Sequence, residues 1–310
     1  MAATSAPAGA RAHPALRRAR LRRQLDGWAF SAPFVALFIA FWALPIVASL
    51  VLSLTDFGIS DLRDPFGVSF VGLDNYSQLI HDDTFWKAAR NTAYFVVVGV
   101  PVTIGVGLLV ALGLNNAALR LKGLFRVGYY LPVVTSIVAV AVIWRYLYNP
   151  DVGVINRLLD LVGISGPNWL GDPHYSMPSI IVLGVWRNFG FSAVIFLAAL
   201  QGIDRTLYEA ARTDGATGWQ LFRRITLPLL KPATLFLTVI TTIGYLQVFE
   251  EPFVMTKGGP LNSTLTVSQY VYKEGFNFFH LGYASAIAYA LMLVIALLAF
   301  LQFRLLRPET

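Results

Sequence analysis

The amino-acid sequence predicts an all-α polytopic membrane protein with six transmembrane helices and both termini in the cytoplasm. Three observations carry this. Of 310 residues, 56% are apolar and only 13% charged, against about a quarter charged in an ordinary soluble domain, and the mean hydropathy is +0.61. Six apolar stretches are long enough to cross a hydrocarbon core, which takes about 20 residues of helix. Lysine and arginine gather on one side of those stretches, and cytoplasmic loops are the ones enriched in these cations.

The stretches run near 28–54, 91–115, 127–148, 177–200, 233–250 and 282–303. Strands of a membrane barrel would be about half as long and would alternate polar with apolar residues, so helices are expected. Arg11, Arg17, Arg18, Arg20, Arg22 and Arg23 precede the first stretch. Arg120, Lys122 and Arg126 follow the second; Arg205, Arg212, Arg223, Arg224 and Lys231 separate the fourth from the fifth; Arg304 and Arg307 follow the sixth. The opposite loops carry Asp56, Asp61, Asp64, Asp82, Asp83, Asp151, Asp160 and Asp172. This placement beside apolar spans, rather than along one soluble face, assigns the net charge of +7 to topology and not to nucleic-acid binding. The first stretch has the basic flank of a signal peptide, but its apolar run from 30 to 54 exceeds the about 7–15 residues of a signal core, so it is expected to stay as a span. The organisation expected is a disordered basic tail over 1–27, a six-helix body over 28–305 and a short tail over 306–310. The chain has no cysteine, which excludes disulfides and thiolate metal sites.

The most informative segment lies between the fourth and fifth stretches, at about 201–232. Glu209-Ala210-Ala211 starts it like a helix and Asp214-Gly215-Ala216 breaks it. Thr217 and Gln220 have capping-box spacing, in which hydroxyl and amide satisfy two free N–H groups at a helix start. Trp219, Phe222, Arg223 and Ile225 continue as a second short helix, with Pro228 and Pro232 expected to end it. An amphipathic helix pair lying on the membrane surface is the alternative reading. The pattern E-A-A, three residues, G, nine residues, I-x-L-P resembles the EAA coupling loop of permease subunits in ABC importers, with Glu209, Ala210, Ala211, Gly215, Ile225, Leu227 and Pro228 at its fixed positions.

The resemblance extends over roughly 28–305. Phe70-Val71-Gly72-Leu73-Asp74-Asn75-Tyr76, Asn91-Thr92, Leu131-Pro132, Trp144, Asn149-Pro150, Gly153 and Asn156 are similar to segments of sugar-importer permeases. Val254 to Pro260, with Gly258, Gly259 and Pro260 as an external loop motif, followed by Asn262, Ser263 and Thr264, resembles the V-x-T-x-G-G-P motif of the MalF/UgpA type. The extra N-terminal spans and large external insertion of the enteric maltose permease have no counterpart here. The resemblance implies a MetI-like permease fold and a subunit of a binding-protein-dependent carbohydrate importer in a bacterial cytoplasmic membrane. It also implies the partners: a homologous second permease, a cytoplasmic ABC ATPase dimer, an extracytoplasmic solute-binding protein, and a sugar, a di- or oligosaccharide foremost. Glu209, Ala210, Ala211, Asp214, Gly215, Phe222, Ile225, Leu227 and Pro228 would then couple to the ATPase. Trp219 joins them on chemistry alone, as an exposed apolar plug beside Phe222.

Polar side chains inside a span are costly and mark function. Arg187 and Asn188 fall in the fourth stretch, and Gln247, Glu250 and Glu251 at the outer end of the fifth. Trp186, Phe189, Phe191, Tyr245 and Phe249 add ring faces, and a sugar needs rings against its C–H faces with a few polar groups for orientation. An Arg187 pair with Glu250 or Glu251 that merely holds two helices in register is the plainer alternative. The chain has no G-x-x-x-x-G-K-[ST] phosphate loop, so it is expected to be non-catalytic, to bind no cofactor directly, and to leave ATP and Mg to the partner ATPase. Its histidines have no metal-ligand spacing, and Asp82-Asp83 reads as a solvated acid pair. A secondary transporter driven by an ion gradient is the rival class. It would need an acid at mid-depth, commonly within inverted repeats, and the acids here cluster at the outer end instead.

Overall fold

The computed structural model describes residues 27–62, 68–115 and 122–306. The expected basic tail, Arg120 and residues 307–310 lie outside the described residues. The chain divides into two units, Met1–Leu52 and Ser53–Thr310. Among its described residues the first contains one helix, α1 (Gly27–Leu52), with none of its apolar window buried. A π-helical turn, Ile39–Ala43, interrupts it, with the Leu44 N–H bonded to the Ile39 carbonyl. Pro45 follows directly, and the wider turn absorbs the hydrogen bond its missing N–H cannot make.

The second unit runs α2 (Asp74–His81), α3 (Asp83–Asn115), α4 (Lys122–Val134), α5 (Ile137–Leu147), α6 (Val154–Asp160), α7 (Pro173–Gln201), α8 (Arg205–Thr213), α9 (Gly218–Leu229), α10 (Lys231–Leu246), α11 (Glu250–Thr256), α12 (Val267–Tyr272) and α13 (Leu281–Leu306). Among the described residues there is no strand, only an isolated bridge between Thr55 and Phe70. Among the described residues four helices are long and apolar enough to span a membrane, and six spans result if α4 with α5, and α9 with α10, each count as one.

The long helices α3 and α7 form the centre. Helices in lipid associate by close packing at small residues, and these two do so: a Cβ on Gly107 would stand 2.5 Å from the Ser192 Cβ. Phe95, Ile180, Leu183 and Tyr245 fill the core beside that crossing. Towards the end that carries the 201–232 segment, Phe196, Leu197, Leu230 and Leu237 form a second cluster.

Three sequence expectations change. The third span is two helices meeting at 98°. Pro132 removes a backbone donor inside α4, the Thr135 hydroxyl bonds the Leu131 carbonyl, and the helix ends there. The fifth span stops at Leu246 rather than Glu250, because Gln247 to Phe249 leave the helix and Glu250 opens α11. The Val248 carbonyl freed by this break accepts from the Thr266 hydroxyl, and two acids in the first turn of α11 suit its positive end. Asp82, read as solvated, is the third. It caps α3 through the N–H groups of Thr84 and Phe85, and accepts from the Tyr270 and Tyr283 hydroxyls at 2.5 and 2.6 Å.

The other motif residues act as clips. Asn75 donates to the Ser53 and Thr55 carbonyls, and Trp169 donates to Asn156 at 2.6 Å. Asn91 donates to the Asn262 and Leu265 carbonyls, while the Thr92 hydroxyl accepts from the Val267 N–H.

Candidate functional site

The EAA segment is a rigid helix–turn–helix. Asp204 caps α8 by accepting from the Thr206 N–H, and that bond, to an exposed group, holds its carboxyl below the usual range. At the other end, Gly215 has φ +80°. Its N–H bonds the Arg212 carbonyl and the Ala216 N–H bonds the Ala211 carbonyl, the paired bonds of a Schellman stop with glycine in the left-handed position. Thr217 and Gln220 form the capping box of α9 with both bonds in place. The Tyr208 hydroxyl and Thr226 Oγ1, 2.9 Å apart, tie α8 to α9.

Pro228 does not end this helix, contrary to the sequence expectation. A π turn over Phe222–Thr226 precedes it, the chain continues to Leu229, and the direction changes by 60° at Leu230 before Pro232 opens α10. Proline is accepted at a first turn because no helical donor is needed there.

Glu209, Ala210, Asp214, Gly215, Leu227 and Pro228 are exposed, and Ala211, Phe222 and Ile225 half-buried. Trp219 is 68% exposed and its ring lies 5.6 Å from Phe222. Glu209 also faces a cleft of about 730 Å³ lined by Arg205, Tyr208, Arg212, Gln201 and Asn115. Sequence reasoning took Arg205 and Arg212 only as topology markers, yet they stand four before and three after Glu209, which places all three on one helix face.

A second site lies between α7, α10 and α11. Arg187 stands at the midpoint of α7. Together with Asn188, Tyr245, Gln247, Glu250 and Glu251 it lines a cavity of about 220 Å³. The Arg187 guanidinium is 3.8 Å from the Glu251 carboxylate, and its Nε is buried without a partner. Glu251 is buried; Gln247 and Glu250 are exposed at the mouth. Asn188 is turned onto the Gly184 carbonyl of its own helix. Tyr245 packs edge-on against Phe95 and shares a 2.7 Å hydrogen bond with Thr103, so it forms wall rather than free donor.

Trp186 and Phe249 stand apart from this cavity. Trp186 packs against Trp144, and Phe249 against Phe253 and Tyr272. The lining also includes Phe191, Ile240, Thr241 and Gly244. Of these, Ile240, Thr241 and Gly244 were missed, although Gly244 and Ile240 lie three and seven residues before Gln247, at helical period.

The external motif is a closed loop. Gly258 has φ +85° and the Gly259–Pro260 bond is cis. The Thr264 hydroxyl bonds the Gly259 carbonyl and pairs with Thr256, and Ser263 pairs with Ser176. The loop thus folds back on α3 through Asn91 and on α7 through Ser176.

A chain of long apolar helices, with a polar cavity between two of them and an exposed helix–turn–helix joining the same two, is a multi-pass membrane transport component. The chain belongs to the family of binding-protein-dependent transport system inner membrane components, whose match covers residues 103–310 and includes both sites. It is 43% identical over 294 residues to the lactose transport system permease protein LacF of Rhizobium radiobacter, covering 92% of this chain and 96% of that one. It is 36% identical to the arabinooligosaccharides transport system permease protein AraP of Halalkalibacterium halodurans, covering 87% and 84%. Its fold is similar to a chain of a bacterial alginate ABC transporter solved in complex with an alginate pentasaccharide-bound periplasmic protein, with TM-score 0.80, 26% identity, and 93% and 96% coverage. The ion-gradient carrier considered from the sequence belongs to a different class.

Proposed function

We propose that this chain is one permease half of an ATP-driven importer of a di- or oligosaccharide, in a bacterial cytoplasmic membrane, crossing it six times with both termini inside. The relatives named for lactose and arabinooligosaccharides support the substrate class. The partners are a homologous second permease, an ATPase dimer that uses ATP and Mg, and a solute-binding protein. The chain itself binds no cofactor and breaks no covalent bond.

The observation that carries the reading is the Schellman-stopped helix pair between α7 and α10, capped at both helix starts and cross-tied by Tyr208 and Thr226. Such a unit moves as one body. Closure of the ATPase dimer against Glu209, Gly215, Trp219 and their neighbours would push it and tilt the two attached spans. The cavity at Arg187 lies between those spans, so the same motion opens and closes it. Its volume falls below the about 300 Å³ at which ligand pockets begin, as befits half a site completed by the second permease.

A Cβ on Gly215 would meet nothing within 4 Å, so the position demands its backbone conformation and leaves room for a partner. Gly215→Asp is expected to leave insertion and binding-protein docking intact while lowering ATP-driven sugar uptake in proteoliposomes at least about tenfold, a loss of about 1.4 kcal/mol in coupling. Uptake at the unmodified rate would remove the coupling assignment.

A further inference from the structure

The cavity at Arg187 holds one cation and two acids, and their arrangement defines what charge a passing sugar can carry. Arg187 sits at the midpoint of α7 with its Nε unpaired. At 3.8 Å its contact with Glu251 is an ion pair without a hydrogen bond, since N–H···O bonds close at about 2.7–3.2 Å. The guanidinium therefore keeps its donors for a ligand while Glu251 opposes its charge. Glu250 adds a second carboxylate at the mouth. Both acids are carried by the first turn of α11, where the helix starts after the break at Gln247.

We infer that Glu251 is a specificity-determining residue that makes this half of the path accept neutral saccharides and refuse anionic ones. A neutral sugar takes hydrogen bonds from Arg187 and gives them to Glu250 and Glu251 without disturbing the pair. A uronate or sulfonate sugar has to bring a third negative group between two carboxylates, and like charges placed together are how an interface rejects a wrong partner. With Glu251 neutralised, the same guanidinium becomes an unopposed anion site, for which arginine is the best-suited side chain. This inference rests on the reading of the cavity as part of the sugar path.

The test uses the purified complex of both permeases and the ATPase, without solute-binding protein, so that the binding protein's own selectivity does not intervene. Equilibrium binding is measured for two matched pairs, lactose and maltose each with its uronate analogue, in which the C6 hydroxymethyl of the non-reducing ring is a carboxylate and both rings stay intact. The unmodified complex is expected to prefer the neutral member of a pair by about tenfold or more. Glu251→Gln is expected to shrink that preference by about tenfold through tighter binding of the acid, with the neutral sugar little changed. Glu250→Gln, at the exposed mouth, should shrink it less. A preference that Glu251→Gln leaves unaltered, with the variant melting like the parent, overturns the charge proposal alone. Failure of the unmodified complex to bind any of the four sugars, with ATP-driven uptake intact, overturns the placement of the cavity in the path and the proposal with it.

Discussion

Asp82 shows how one side chain can hold one end of a helix bundle together. Its carboxylate receives four hydrogen bonds, two from the start of α3 and two from tyrosines on α12 and α13. Burial works to raise its pKa, but the hydroxyls of Tyr270 and Tyr283 and the two N–H groups outweigh it, and the carboxyl is held below its ordinary value. A group with a depressed folded-state pKa contributes stability that is complete above the unfolded value, about 3.9, and is lost as pH falls through the folded one. The knot should therefore loosen below about pH 4. Thermal melts between pH 3 and 6 are expected to show a steeper acid-side fall for the parent than for Asp82→Asn, which starts lower and has no carboxylate to protonate; identical slopes would remove Asp82 from the acid response. Tyr283→Phe should cost about 1.5–3 kcal/mol near neutral pH, as expected for a hydrogen bond to a charged group. The tyrosine half of this was not legible in the sequence, because Tyr270 and Tyr283 lie 188 and 201 residues away from Asp82, and an acid pair at a loop reads as solvated until its distant donors are placed. The capping box at Thr217 and Gln220 was legible for the opposite reason: both partners lie within one helical turn, so spacing alone defines the bonds.

At the scale of elements, the packing of α4 against α7 depends on a missing side chain. A Cβ on Gly190 would stand 1.9 Å from the Tyr129 carbonyl oxygen, a backbone atom that cannot swing aside. Gly105, on α3, faces open space. Gly190→Ala is expected to force α4 off α7 and destabilise the complex by about 1–3 kcal/mol, the usual cost of overpacking, whereas Gly105→Ala should be neutral or slightly stabilising, since alanine is the better helix former. Melting of the purified complex separates the two; equal melting points would mean that α4 does not depend on this contact. Helix existence along the chain followed from apolar runs, and five of the six expected stretches overlap a helix that extends close to or past the expected ends, or a bent pair. The breaks did not follow. Pro132 is a visible breaker, but the exit from helix at Gln247 depends on the Thr266 hydroxyl waiting for the Val248 carbonyl, a partner supplied by tertiary structure. The cavity residues near that break were only half legible for the same cause. Arg187 announced itself as a charge in an apolar run, whereas Ile240 and Gly244 carry no signal except their helical register with Gln247.

For the whole molecule, the decisive relation is that one segment joins the two spans that wall the cavity. Force applied at α8 and α9 reaches Arg187 through α7 and Glu251 through α10 and α11, provided that the joint does not yield. Three features stiffen it: the left-handed stop at Gly215, the capping box of α9, and the Tyr208–Thr226 bond. Stiffness is thus testable apart from docking chemistry. Three glycines inserted after Gly215 remove no side chain of the segment but would free α8 from α9. Such an insertion should keep ATP hydrolysis by the assembled complex within about twofold of the parent while lowering sugar uptake at least about tenfold, because a flexible chain of this kind absorbs displacement instead of passing it on. Tyr208→Phe, which removes one neutral hydrogen bond worth about 1 kcal/mol, should lower uptake far less. Parallel ATPase and uptake measurements on the same proteoliposomes read the two quantities together. Loss of both in the insertion variant would mean that the segment serves assembly, and retention of both would mean that the spans move without a rigid joint between them.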